Sequence, residues 1–155
     1  MIPEHVQHIL TQNKLEILQF EEGSTPTAET AAAKIGVKVG QIAKSMLFRA
    51  KDGSHCLVVC AGDKKVSSSK LKRLTGSKMS MASAWETEET TGFKPGGVCP
   101  FGLPQDIQIY LDASLEQYDT VYPAAGTDST GVPVTFPQLE KITGGTRCSV
   151  VQEPT

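Results

Sequence analysis

Residues 3–13 place Val6, Ile9 and Leu10 at the three- and four-residue spacing of one helix face, so the chain is expected to open with a helix. Residues 15–20 alternate instead, with Leu15, Ile17 and a final Phe20 around Glu16 and Gln19, which is the period of a strand. A second helix is expected from Thr25 as cap, with Pro26 in its first position, Glu29 near its positive end and Gly36 as its stop. Two β-rich runs, residues 44–50 and 54–61, flank Lys51-Asp52-Gly53, and Asp-Gly between such runs predicts an antiparallel hairpin. Residues 67–75 form a helix with Leu71 and Leu74 turned inward and Gly76 ending it. Residues 83–91 make a short acidic helix ended by Gly92. Strands are expected over 107–112, 120–125 and 134–136, and a last helix over 137–143 ending at Gly144-Gly145. Residues 148–151 either add a final strand or fray.

Strands and helices thus alternate irregularly, with one clear hairpin and no internal repeat. The pattern predicts an α+β (mixed α/β) fold: a curved, mixed and largely antiparallel sheet forming a barrel-like body with helices against its outside. At 155 residues, the whole of 1–155 suits one domain with one core.

Composition narrows the function classes. Hydrophobic content of 39% and charged content of 21% are those of an ordinary globular chain. The longest apolar runs are too short to cross a bilayer, and the first ten residues lack a basic region followed by an apolar block. A cytoplasmic location and no membrane partner are therefore expected. Cys56, Cys60, Cys99 and Cys148 form no Cys-x-x-Cys pair, and His5, His8 and His55 do not complete a zinc-ligand spacing with them. Inert buried thiols are expected, with Cys99 set apart by its place in a glycine-rich loop; no metal and no cofactor are expected. The net charge of −2 argues against a protein that coats nucleic acid through bulk charge, and no DNA partner is expected. The charge is uneven, however: Lys64, Lys65, Lys70, Lys72, Arg73 and Lys78 face only Asp63 within their window. That run is either a solvated helix face or a local phosphate contact.

The usual catalytic signatures are missing. There is no phosphate-binding loop, dinucleotide fingerprint, nucleophile elbow or His-Glu-x-x-His, and no histidine follows His55. Catalysis, if the chain is an enzyme, must lean on oriented backbone groups, a lysine and water. Two features can supply these. Residues 91–104, TGFKPGGVCPFGLP, hold four glycines and three prolines. There, Gly96 and Gly97 let a ligand approach the backbone and Pro100 stiffens the far side, so successive N–H groups can converge on one oxygen; a tight connection between a helix and a strand is the plainer alternative. Lys44 opens a strand beside Met46 and Phe48 on its own face, so its ammonium either snorkels at the strand end or aims into a pocket.

Read in order, Gln41-Ile42-Ala43-Lys44-Ser45-Met46-Leu47-Phe48-Arg49, then Ala61-Gly62-Asp63, then Thr91-Gly92-Phe93 running into Gly96-Gly97-Val98-Cys99-Pro100-Phe101-Gly102, then Ala124-Ala125-Gly126-Thr127, closely resemble the YbaK-type aminoacyl-tRNA editing domains. These are free-standing relatives of the editing domain inserted in bacterial prolyl-tRNA synthetase. The resemblance spans residues 15–145. It implies hydrolysis of the ester joining a wrong amino acid to the 3′-terminal adenosine of a tRNA, often the tRNA for proline. Mischarged tRNA would be the partner, with an aminoacyl-tRNA synthetase as a second. By similarity, Lys44 would hold the terminal nucleotide or the region of the aminoacyl carbonyl. Gly96, Gly97, Val98 and Pro100 would grip the aminoacyl group with Ser45 and Phe101 beside them, and Gly126 and Thr127 would line the opposite wall. Lys64, Lys65, Lys70, Lys72 and Arg73 would meet acceptor-stem phosphates.

The sequence departs from family members of known specificity. Those acting on cysteinyl-tRNA carry a Gly-Gly-Lys-Arg-Gly-Leu run where this chain has residues 125–132, AGTDSTGV, without the basic pair. Some acting on alanyl-tRNA have an asparagine after the lysine and a late histidine; here Ser45 follows Lys44 and no late histidine exists. A pocket bordered by Thr127 and Val98 would suit a small or hydroxylated amino acid. Two other functions compete: a silent module of the same fold that binds tRNA or a synthetase, and a small-molecule or peptide binder in which Lys44 grips a carboxylate. The presence of both Lys44 and the Gly96-to-Pro100 loop favours the enzyme.

Overall fold

The computed structural model describes residues 2–104 and 106–153. Helix α1 (Glu4–Gln12) precedes a two-residue strand β1 (Leu18–Gln19) and helix α2 (Ala28–Ile35). The hairpin follows as β2 (Ala43–Ala50) and β3 (His55–Ala61), and then come α3 (Ser68–Thr75), β4 (Met79–Met81) and α4 (Ala84–Thr91). The last third holds β5 (Gln108–Asp112), β6 (Thr130–Gly131), α5 (Phe136–Thr143) and β7 (Thr146–Cys148). Local chemistry sets the helix starts. Ser67, Ser83 and Thr135 each accept a hydrogen bond from the backbone N–H three residues on, and such a cap is worth about 1 kcal/mol. Helix α2 starts later than the expected Thr25, because Thr27 takes the cap in a reciprocal pair with Thr30. That shift frees Thr25 to be buried.

Five strands form one mixed sheet in the order β4-β2-β3-β5-β7, and β1 pairs with β6 separately. The pairings β4–β2 and β2–β3 are antiparallel, whereas β3–β5 and β5–β7 are parallel. The sheet is thus mixed as expected but evenly so rather than largely antiparallel. The reason lies in the connections: β3 reaches β5, and β5 reaches β7, only after helical crossovers, which return the chain in the same direction. Among the described residues no closed barrel forms, and β4 and β7 are the two edges.

Period-two alternation divides the hairpin between two cores. Ala43, Leu47, Leu57, Val59 and Ala61 face the larger one, with Ile109 and Leu111 of β5, Val6 and Leu10 of α1 and Phe136 and Leu139 of α5. Phe48, Cys56 and Val58 face the smaller one under Leu71 of α3. Leu74 does not join it and is 40% exposed, because three residues beyond Leu71 it has turned about 60° around the helix axis. The expected strands over 120–125 and 134–136 reduce to isolated bridges, Ile42–Tyr122 and Val121–Val134. Pro123 and Pro133 deny those segments ladder donors, and Phe136 enters α5. The expected strand over 148–151 sits earlier, as β7, with one further bridge from Val151 to Val66. No helix among the described residues is long and apolar enough to cross a membrane.

Candidate functional site

A cavity of about 320 Å³ opens at the start of β2. One wall is the segment from Thr25 to Ala31 with Ile35, another is Gly96 and Val98, and Tyr122, Ala124 and Thr130 close a third side. Ile42, Ala43, Lys44 and Ser45 supply the floor. Alternation sends Lys44 to the face of Met46 and Phe48 and Ser45 to the face of Ala43 and Leu47. Both residues still line the cavity, so it wraps around the edge of β2 rather than resting on one face of the sheet. The small side chains of Ala28 and Ala31 leave room between α2 and this edge.

The Lys44 ammonium donates to the Lys64 carbonyl at 2.9 Å. Lys64 closes the turn that leaves β3, and its own N–H donates to the Ala61 carbonyl at 3.0 Å. The hairpin therefore holds its own lysine by the head group, with further ammonium protons left to donate. Two hydroxyls around the cavity, Thr25 Oγ1 and Ser45 Oγ, are buried without a hydrogen-bond partner among the described residues. A buried hydroxyl left unpaired costs about 1–3 kcal/mol.

The two glycines of the loop have different tasks. Gly96 lines the cavity at φ +89°, and a Cβ there would stand 3.1 Å from the Pro26 carbonyl oxygen. Gly97 lies behind it: a Cβ would come within 2.8 Å of Thr127 Cα, so the chain segments touch backbone to backbone. The Gly97 N–H donates to the Lys94 carbonyl at 2.9 Å and is already engaged in a turn. Gly97, Gly126 and Thr127 line a neighbouring cavity of about 390 Å³, with Glu22, Glu88 and Asp128 on its rim. Thr127 reaches the first cavity only at second hand, through a 3.1 Å hydrogen bond to Thr130. Thr127 and Val98 therefore do not border one pocket.

Among the expected site residues, the structure brings Lys44, Ser45, Gly96 and Val98 to one cavity. It does not bring Pro100 or Phe101 there. Pro100 is buried, and Phe101 is packed in the larger core with Phe93 and Cys99 because its ring has no polar group to keep it at a surface. Among the basic residues, Lys70 spends its charge on Glu153 and donates to the Val151 carbonyl at 2.9 Å. Lys65, Lys72 and Arg73 are exposed, and Lys64 is half-buried. The lining residues Thr25, Tyr122 and Thr130 escaped the sequence reading. Thr25 carried a competing signal as a helix cap, and nothing local marks Tyr122 or Thr130.

The four cysteines are free and buried. Burial pushes the thiols of Cys56 and Cys60 up to about 11 and those of Cys99 and Cys148 to about 12. Cys99, inside the loop, is fully buried, and its thiol donates to the Phe101 carbonyl at 3.6 Å. Among the described residues no group of three or more His, Cys, Asp or Glu side chains is arranged to hold a metal ion.

The sequence profile of the aminoacyl-tRNA editing domain matches residues 22–142. The YwhH protein of Bacillus subtilis is 41% identical over 126 residues, which are 81% of this chain and 80% of that protein. The proline-tRNA ligase of Bacillus licheniformis is 37% identical over 119 residues, 74% of this chain but only 20% of the ligase. A crystal structure described as a candidate trans-editing enzyme for prolyl-tRNA synthetase superposes with a TM-score of 0.87 at 32% identity, covering 96% of each chain.

Proposed function

We propose, starting from the fact that the chain belongs to the aminoacyl-tRNA editing domain family, that it acts in trans as a deacylase of mischarged tRNA, with the tRNA for proline as its first candidate. The observation that carries this reading is one cavity in which an anchored ammonium, Lys44, meets the half-buried strand edge at Ser45, the close-approach backbone of Gly96 and the side of Val98. An aminoacyl ester is already activated, so positioning and stabilisation of the developing oxyanion suffice for much of the rate.

In the proposed reaction, the oxygen of a water bonds to the ester carbonyl carbon and the carbonyl electron pair moves onto its oxygen. Collapse then breaks the bond to the ribose oxygen, which takes one proton from the attacking water, helped by the neighbouring ribose hydroxyl. The second proton passes to solvent, leaving the amino-acid carboxylate. Lys44 offsets negative charge at the terminal nucleotide or the carbonyl, and Gly96 and Val98 flank the aminoacyl group. Gly97, with Gly126 and Thr127 behind it, keeps that loop in place. Lys64, Lys65, Lys72 and Arg73 are left to meet phosphates of the acceptor stem.

The test is single-turnover deacylation of tRNA charged in turn with alanine, cysteine, serine, threonine and related non-protein amino acids. Rapid release of at least one amino acid is expected. Binding of every tRNA with release of none would replace the enzyme by a silent binding module.

A further inference from the structure

Strand β2 has a gap in the pairing of its outer edge, and the gap opens into the cavity. The Ala50 N–H donates to the Ser54 carbonyl at 2.9 Å, which fixes the phase of the β2–β3 ladder. Hydrogen-bonded pairs alternate along an antiparallel ladder, so residues 44, 46 and 48 also bond to β3, and residues 43, 45, 47 and 49 turn their main-chain groups outward. Three of these four have an outer neighbour. Arg49 pairs with Ser80 of β4, the Leu47 carbonyl accepts from the Ala82 N–H at 2.9 Å, and the Ala43 N–H donates to the Tyr122 carbonyl at 3.1 Å. Ser45 lies between them and lines the cavity, and among the described residues its outward N–H and C=O have no hydrogen-bond partner. Its side-chain Oγ is unpaired as well. A main-chain donor and acceptor left open within a paired edge form a socket for one residue of extended chain.

We propose that the aminoacyl group of the substrate fills this socket as a one-residue strand, its ammonium donating to the Ser45 carbonyl and its ester carbonyl accepting from the Ser45 N–H. This rests on the editing reading above. An aminoacyl ester carries amino nitrogen, α-carbon and carbonyl in the same order as a peptide residue. It therefore matches the two-bond ring of a hydrogen-bonded antiparallel pair. The geometry also supplies a donor outside the glycine loop. The Gly97 N–H is engaged with Lys94, whereas the Ser45 N–H comes from a strand held on its other side by β3 and needs no rearrangement to meet the oxygen on which charge develops.

The test removes the N–H and leaves the side chain in place. Glyceric acid, the α-hydroxy acid analogue of serine, placed at position 45 by nonsense suppression replaces that amide by an ester and keeps the side chain. Single-turnover deacylation is expected to fall about a hundredfold, the usual loss for one oxyanion donor. Ser45→Ala, which retains the N–H, is expected to fall far less. A second readout needs no turnover. On saturation with 3′-alanylamino-3′-deoxyadenosine, the amide signal of Ser45 shifts downfield and its exchange with solvent slows. An ester variant as fast as the wild-type protein, or an unmoved Ser45 amide in the saturated complex, overturns the inference. If the ester variant does not fold, the amide signal decides. A wild-type protein that releases no amino acid from any tRNA, yet shows the shifted amide, defeats the editing reading while retaining the socket.

Discussion

The two ends of β2 are treated in opposite ways. At the hairpin end, residues 48–50 have β3 on one side and β4 on the other. Glu86 of α4 then ties this end down, with its carboxylate 2.8 Å from His55 Nε2 and 3.7 Å from Arg49 Nε. At the other end the outer edge is bonded at Ala43, open at Ser45 and bonded again at Leu47. Covering an edge strand protects a sheet from pairing with other chains. Here the opening lies in the cavity lined by α2 and the glycine loop rather than on a free sheet edge. On the proposed reading, one strand serves stability at one end and recognition at the other, and the same alternation of main-chain groups produces both.

Variants at the two ends should separate these tasks. The largest effect is expected for Lys44→Ala, which removes the anchored ammonium. Deacylation should fall about a hundredfold, while the half-buried site keeps the melting temperature within a few degrees. Full activity across the aminoacyl-tRNA panel would remove Lys44 from the mechanism. Gly97→Ala comes next. Its Cβ would press on the Thr127 backbone, where no flexible side chain can give way, so the loop must shift at a cost of about 1–3 kcal/mol in stability. Denaturant unfolding and deacylation measured together should both decline, whereas loss of neither would mean that the close approach is not needed. The smallest effect belongs to the hairpin end. Glu86→Gln, at a partly exposed ion pair, should cost about 0–1 kcal/mol and leave turnover alone. A large drop in kcat there would dissolve the division of labour along β2.

Most elements were legible because their signals are local. Asp52-Gly53 marked the hairpin, and Ser67 and Ser83 opened the helices expected of them. Lys44, Gly96 and Val98, which the structure brings to one cavity, stand out in the chain itself as a lysine at a strand head and a glycine-rich loop. What escaped depends on distant partners. The parallel half of the sheet is set by crossovers, and the bond from Ala43 to Tyr122 joins residues far apart in sequence. Phe101 lies within the glycine-rich loop in sequence but packs in the larger core, because an aromatic ring beside a glycine turn gains more from burial than from the cavity. The opening at Ser45 could not have been read at all, since it consists of neighbours that are not there.

The most direct measurement is a crystal structure of the protein with 3′-alanylamino-3′-deoxyadenosine, whose amide cannot be hydrolysed as the ester is. The expected complex has the alanyl group between the Ser45 main chain and the Gly96–Val98 loop, with Lys44 Nζ within hydrogen-bonding reach of the ribose or the carbonyl oxygen. An analogue seated instead in the neighbouring cavity beside Gly97, Gly126 and Thr127, with the edge of β2 untouched, would contradict it.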